Sequence, residues 1–177
     1  MAYGLHYFSV KITDEKMSST QQFLVIGGMV LLSLLALNFY RASDIQYNMK
    51  YENEATITAT SIAQSTFEEM STKAFDEVTT DWKTDSKDSL TLAANFGPDS
   101  AETTRALFDD IDDYSGYYFV DSSMSLGKFN VSIIINYVVP SNPNTISSTR
   151  TFTKKATIFV NNSYLKNQLQ YIYAYSY

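Results

Sequence analysis

The order of patterns along the chain predicts an α+β fold, a long N-terminal helix followed by a C-terminal antiparallel β-meander of about four strands. Three observations carry that expectation. No charged residue occurs between Thr20 and Tyr40, neither Gly nor Pro occurs between Gly28 and Gly97, and in separate segments beyond Lys128 apolar residues recur at alternate positions.

The helix begins with an apolar run, Phe23 to Tyr40 (FLVIGGMVLLSLLALNFY). At roughly 1.5 Å per residue it covers about 27 Å, which with its flanks suffices for a hydrocarbon core of about 30 Å. A helix satisfies all its backbone polar groups internally, as lipid requires. A secretory signal would show a basic start, a shorter apolar stretch and a small-residue cleavage site. Here Lys11 and Lys16 are balanced by Asp14 and Glu15, and no A-x-A follows. The run therefore reads as a retained anchor, with Met17 as an alternative start to Met1.

Past the anchor, Ile45, Met49, Ala55, Ala59, Ile62, Ala63, Phe67, Met70, Ala74 and Val78 recur mostly at three- and four-residue steps, the stripe of an amphipathic helix. Lys50, Glu54, Thr58, Ser61, Glu69, Lys73 and Glu77 fall on the other face. The lower part of the stripe is expected to pack on the chain's own sheet. Ala42 to Ala55 is expected to lie beyond that sheet and to need another chain. The resulting division is a tail or leader at 1–20, a long helix at 21–78 (anchor 23–40, exposed stalk 41–78), and a β domain with its connector at 79–177.

Residues 79–105, rich in Thr, Ser and Asp with a Gly97-Pro98 turn signal, read as a connector with at most one short element. The first strand starts near Tyr117. In Lys128 to Val139, Phe129, Val131, Ile133, Ile135, Tyr137 and Val139 alternate with polar residues, which argues a half-buried strand. Pro140 to Thr149 reads as a loop joining adjacent antiparallel strands. Arg150 to Val160 puts Phe152, Ala156, Ile158 and Val160 on one face and Thr151, Thr153, Lys155 and Thr157 on the other. Gln168 to Tyr177 does the same with Leu169, Tyr171, Tyr173, Tyr175 and Tyr177.

Composition removes several function classes. The net charge of −6 and pI near 4.7 give no basic footprint for nucleic acid, which is not an expected partner. Without cysteine there is no disulfide framework, thiolate metal site or cysteine nucleophile, and the one histidine, His6, precedes the anchor. With no constellation of nucleophile, base and oxyanion donor, no enzyme activity and no cofactor are expected.

An N-terminal anchor continuous with an exposed helix, followed by a small antiparallel sheet, resembles the type IV pilin superfamily. Ala59 to Glu77 (ATSIAQSTFEEMSTKAFDE) resembles the A-x-x-x-A-Q-x-x-x-E stretch of minor pilins and type II secretion pseudopilins. Phe108 to Gly116 (FDDIDDYSG) resembles their acidic D-D-x-D-D-Y-x-G loop. The resemblance spans about residues 21 to 177. It implies an inner-membrane single-pass protein with a periplasmic or extracellular C-terminal domain, whose partners are other pilin-like subunits and inner-membrane assembly machinery. Aligned on Phe23, the chain has Gln22 where the family has the Gly of its processing point, and Gly27 where it has a Glu that meets a neighbour's N-terminal amine. The family's helix-kinking proline is also missing. A subunit lacking that Glu suits a minor position, such as a filament tip.

Three clusters remain. Asp109, Asp110, Asp112 and Asp113 are oxygen donors suited to calcium, but they do not follow the EF-hand spacing and read first as a solvated acidic turn. Glu68, Glu69, Asp76 and Glu77 read as a charged helix face in solvent. The tyrosines around 114–118 and 171–177 read first as sheet-face packing and second as an exposed aromatic strip. The first functional expectation is a structural subunit of a type IV pilus-like or type II secretion-like filament, assembling through Phe23, Gly27, Gly28, Ser33 and Ala36, which allow close helix approach. The alternative is a single-pass, envelope-anchored binding module using its tyrosine-rich β domain.

Overall fold

The computed structural model describes residues 18–123 and 125–177. His6, Lys11, Lys16 and both candidate starts lie outside them. Two compact units are present, one ending at Gln46 and one spanning Tyr47–Tyr177.

Helix α1 runs from Ser19 to Ser71. Its start has a local cause: the Ser18 N–H donates to Gln21 Oε1 (3.0 Å) and the Gln21 N–H donates to Ser18 Oγ (3.4 Å), a reciprocal capping box. In the first unit this helix carries no charge throughout Phe23–Tyr40, and it is long and apolar enough to cross a membrane.

In the second unit α1 buries Ala55, Ala59, Ile62, Ala63, Thr66 and Met70. Thr66 is tolerated there because its hydroxyl donates to the Ile62 carbonyl at 2.8 Å. Two expectations about this helix are corrected. It ends at Ser71 rather than near Val78, because the segment beyond it is captured by the acidic loop: the Ala74 N–H donates to the Asp109 carbonyl (2.9 Å) and the Ile111 N–H to the Ala74 carbonyl (3.0 Å). A four-residue helix α2, Val78–Asp81, follows separately. The domain also reaches higher than expected. Ala55 is fully buried, and the loop after residue 161 meets the helix through Tyr51 against Tyr164 and Lys166 paired with Glu52 at 2.7 Å.

The connector holds three single 3-10 turns, Lys87–Ser89, Ala93–Asn95 and Arg105–Leu107, where at most one short element was expected. A fourth, Asp112–Tyr114, lies in the acidic loop. Gly116, at φ +76°, then turns the chain into the sheet, a backbone angle that disfavours any side chain.

Among the described residues five strands form one antiparallel sheet: β1 Tyr118–Asp121, β2 Phe129–Val139, β3 Asn142–Ile146, β4 Thr153–Asn161 and β5 Leu169–Ser176. The order is β1-β2-β4-β5, with β3 paired to β2. Strand β3 lies inside the segment read as a loop; it is exposed along its whole length, so no apolar alternation announced it. Along β2 the expected inward set is buried from Phe129 to Tyr137, but a register shift at Val138/Val139 turns Val138 inward instead of Val139.

The inward rows run across three strands: Val131, Val160 and Leu169; Ile133, Ile158 and Tyr171; Ile135, Ala156 and Tyr173; Tyr137, Lys154 and Tyr175. Helix α1 closes over them, with Phe67 stacked on Tyr173 at 4.0 Å and Thr60 Oγ1 hydrogen-bonded to Tyr171 Oη at 2.8 Å. The β5 tyrosines therefore do what the packing expectation required of them.

Candidate functional site

The first candidate is the apolar part of α1. Its large side chains are exposed, Phe23 and Leu24 by about three quarters, and among the described residues nothing beyond the neighbouring helix backbone lies within 4 Å of the point where a Cβ on Gly27 or Gly28 would sit. Helix geometry, at roughly 100° per residue, distributes the expected assembly residues over more than one side. Phe23 and Gly27 share a side as an i,i+4 pair, and Ser33 and Ala36 share another as i,i+3. Ser33 needs no partner for its hydroxyl, which donates to the Met29 carbonyl at 2.8 Å. The Gln22–Phe23 bond, the expected processing point, falls inside the first turn of α1.

The second candidate is a buried polar cluster that overturns two solvent-face expectations. Asp110, Asp112 and Asp113 are each 3% exposed or less while Asp109 stays exposed, so three of the four carboxyls of the acidic turn are withdrawn from solvent. Asp76 is fully buried rather than part of a charged helix face. Asp110 and Asp113 are held by backbone N–H groups of their own loop, and Asp76 and Asp112 by Lys154, itself fully buried in β4. Its Nζ donates to Asp112 Oδ1 (2.5 Å), to the Phe75 carbonyl (2.6 Å) and to Asp76 Oδ2 (2.8 Å). The rings of Phe75, Phe96 and Tyr137 surround the ammonium at 4.4, 5.1 and 5.3 Å.

The two carboxyls bound to Lys154 differ. Asp76 also accepts from the Thr91 N–H (3.0 Å to Oδ1 and 3.1 Å to Oδ2), Thr91 Oγ1 (3.1 Å) and Tyr137 Oη (3.0 Å). Burial pushes its pKa up, but Lys154 and these donors more than offset that and leave it below its ordinary value. Asp112 has Oδ2 without a partner among the described residues. Burial, opposed by Lys154 and reinforced by the Asp76 charge, pushes Asp112 up to about 7. Burial and the charges of Asp112 and Asp113 push Asp110 up to about 8. Its Oδ1 accepts from the backbone N–H groups of Asp112 and Asp113, which folds the loop on itself.

Glu69 is half-buried. It takes a two-pronged bond from Arg105 (2.9 and 2.7 Å) and a third from Tyr114 Oη (2.8 Å), while the guanidinium lies 4.4 Å over the Phe119 ring. Lys73 donates to the Phe108 carbonyl at 2.5 Å.

The four aspartates considered for calcium do not gather. Among the described residues, the carboxylates that converge are Glu102, Asp109 and Asp113, with oxygens within 4.8 Å of one another. Asp110 turns to its own loop and Asp112 to Lys154. Acidic oxygens alone mark no cation site, and none is assigned. A groove of about 640 Å³ lined by Lys87, Asp88, Tyr137, Ser147 and Arg150 has its guanidinium already committed to Asp88 and to the Leu90 carbonyl.

Sequence reasoning missed Lys154, though the alternation of β4 places it in the inward register two residues before Ala156. A lysine in an inward register is itself a signal that buried acids must face it. No family model, curated protein or solved structure matches the chain.

Proposed function

We propose that this chain is a non-catalytic structural subunit of a type IV pilus-like or type II secretion-like filament, held in the inner membrane by Phe23–Tyr40. Its C-terminal domain would then stand in the periplasm or outside the cell. The observation that carries the reading is an apolar helix segment left exposed among the described residues, continuous in α1 with residues that complete a separate folded core. Small residues on more than one side suit a helix flanked by several others, because close approach in lipid depends on packing rather than on a hydrophobic drive. The exposed Ile45, Tyr47 and Met49 extend that apolar surface beyond the span. The alternative, ligand binding by the tyrosine-rich strand, draws less support, since Tyr171, Tyr173 and Tyr175 are engaged with α1.

The test is crosslinking in native membranes followed by sizing in detergent. Wild-type chain should yield crosslinked multimers, and the double substitution Gly27→Leu, Gly28→Leu should diminish them while the domain stays folded. A strictly monomeric wild-type chain would remove the filament reading and leave the single-pass binding module.

A further inference from the structure

We propose that Lys154 and Asp112 condense to an intramolecular isopeptide bond, with Asp76 as the proton-transfer group, so that the acidic loop is covalently stapled to β4. The inference stands on the geometry of the second unit and is independent of the filament reading. Lys154 Nζ lies 2.5 Å from Asp112 Oδ1 and 2.8 Å from Asp76 Oδ2, within a shell of three aromatic rings. Lys154 and Asp76 are fully buried and Asp112 nearly so, which excludes the water that would compete as nucleophile or reverse the reaction.

The roles of the two carboxyls follow from their bonds. Asp76 has both oxygens held by donors from Thr91 and Tyr137, an arrangement that preserves a carboxylate, and a carboxylate resists attack by an amine. Asp112 has one oxygen on the lysine and the other unpartnered among the described residues, leaving an oxygen able to depart. The raised pKa of Asp112 and the lowered pKa of Asp76 agree with this division.

The step balances without any external reagent. The ammonium passes a proton to the Asp112 carboxylate, giving a neutral amine beside a neutral acid, a pair that low dielectric favours over separated charges. The Nζ lone pair attacks Asp112 Cγ and forms the C–N bond. Asp76 accepts a proton from that nitrogen and returns it to the departing hydroxyl as the C–O bond breaks. One water leaves, Asp76 is ionised again, and the amide N–H keeps a donor for Asp76 or the Phe75 carbonyl. Holding amine and acid at contact supplies the proximity that the reaction lacks in solution. The bond would tie β4 to a loop 42 residues earlier in a chain that has no cysteine for a disulfide.

The test is a tryptic digest of the denatured, detergent-extracted full chain, read by mass spectrometry. The expected product is peptide 106–128 joined to peptide 151–155, at the summed mass less one water, with cleavage after Lys154 blocked. Recovery of peptide 106–128 free, together with cleavage after Lys154, would overturn the bond and leave an ordinary buried ion pair. Lys154→Arg should abolish the joined peptide. In Asp76→Asn, the joined peptide should form about a hundredfold more slowly, the lower end of what a positioned acid–base group supplies. Formation at the wild-type rate in that variant would remove Asp76 from the step.

Discussion

Lys154 satisfies three acceptors at once, and its loss would leave Asp76 and Asp112 facing each other in an aromatic shell. Removing one partner of a buried ion pair typically costs about 3–5 kcal/mol, so Lys154→Met should lower denaturant stability by at least that order, the loss of the covalent staple adding to it. A measured change near zero would show that the carboxyls are neutral without it. The aspartates also set a pH dependence. Asp110, with an ordinary value of 3.8, rises to about 8 in the folded chain, and Asp113 rises to about 7, burial being the first cause in each case. Between those limits the folded state binds more protons than the unfolded state, so stability falls as pH rises from about 4 to about 8. Asp76 and Glu69 have lowered values, and their contributions are present above their ordinary values and lost as pH falls through the folded ones. The melting temperature should therefore be higher near about pH 5 than near about pH 8. Asp110→Asn should flatten the slope, and a melting temperature that rose with pH would contradict the assignment. Little of this was legible beforehand, because a run such as DDIDD reads as solvated until a distant cation is known to face it.

At the scale of elements, α1 combines two kinds of surface in one helix. In the domain its grip depends on Phe67, stacked on Tyr173 at 4.0 Å and tilted against Tyr175 at 5.6 Å. Phe67 is only partly buried, so Phe67→Ala should cost about 2 kcal/mol in urea unfolding, below the 3–5 of a fully buried Phe. Nearer the N-terminus the reverse holds: a Cβ at Gly27 or Gly28 enters open space among the described residues, so Gly27→Leu with Gly28→Leu should leave the domain's melting temperature unchanged while reducing crosslinked multimers. A drop in melting temperature would mean that those positions matter to the fold itself. The helix and four of the strands were readable because periods of 3.6 and two are imposed by one-sided burial. The helix end at Ser71 and strand β3 were not. One is set by backbone hydrogen bonds from Ala74 and Ile111, and the other is paired but buries no side chain.

For the whole molecule, a chain held by Phe23–Tyr40 should resist extraction by carbonate and high salt and be released by detergent; release by salt alone would count against a span. N-terminal sequencing of the membrane-bound chain adds the processing point, a start at Phe23 being the outcome a prepilin-type peptidase would leave. Residue order alone settled the α+β class, the apolar span and the inward faces of β2 up to Tyr137 and of β5, since each depends on local periodicity and on the transfer of apolar groups from water. Only the folded structure could decide which charges were buried. Asp76, Asp112 and Lys154 come from three segments far apart in sequence, and the free energy of an ionisable group depends on which others share its low-dielectric surroundings, a property of three-dimensional neighbours rather than of sequence neighbours.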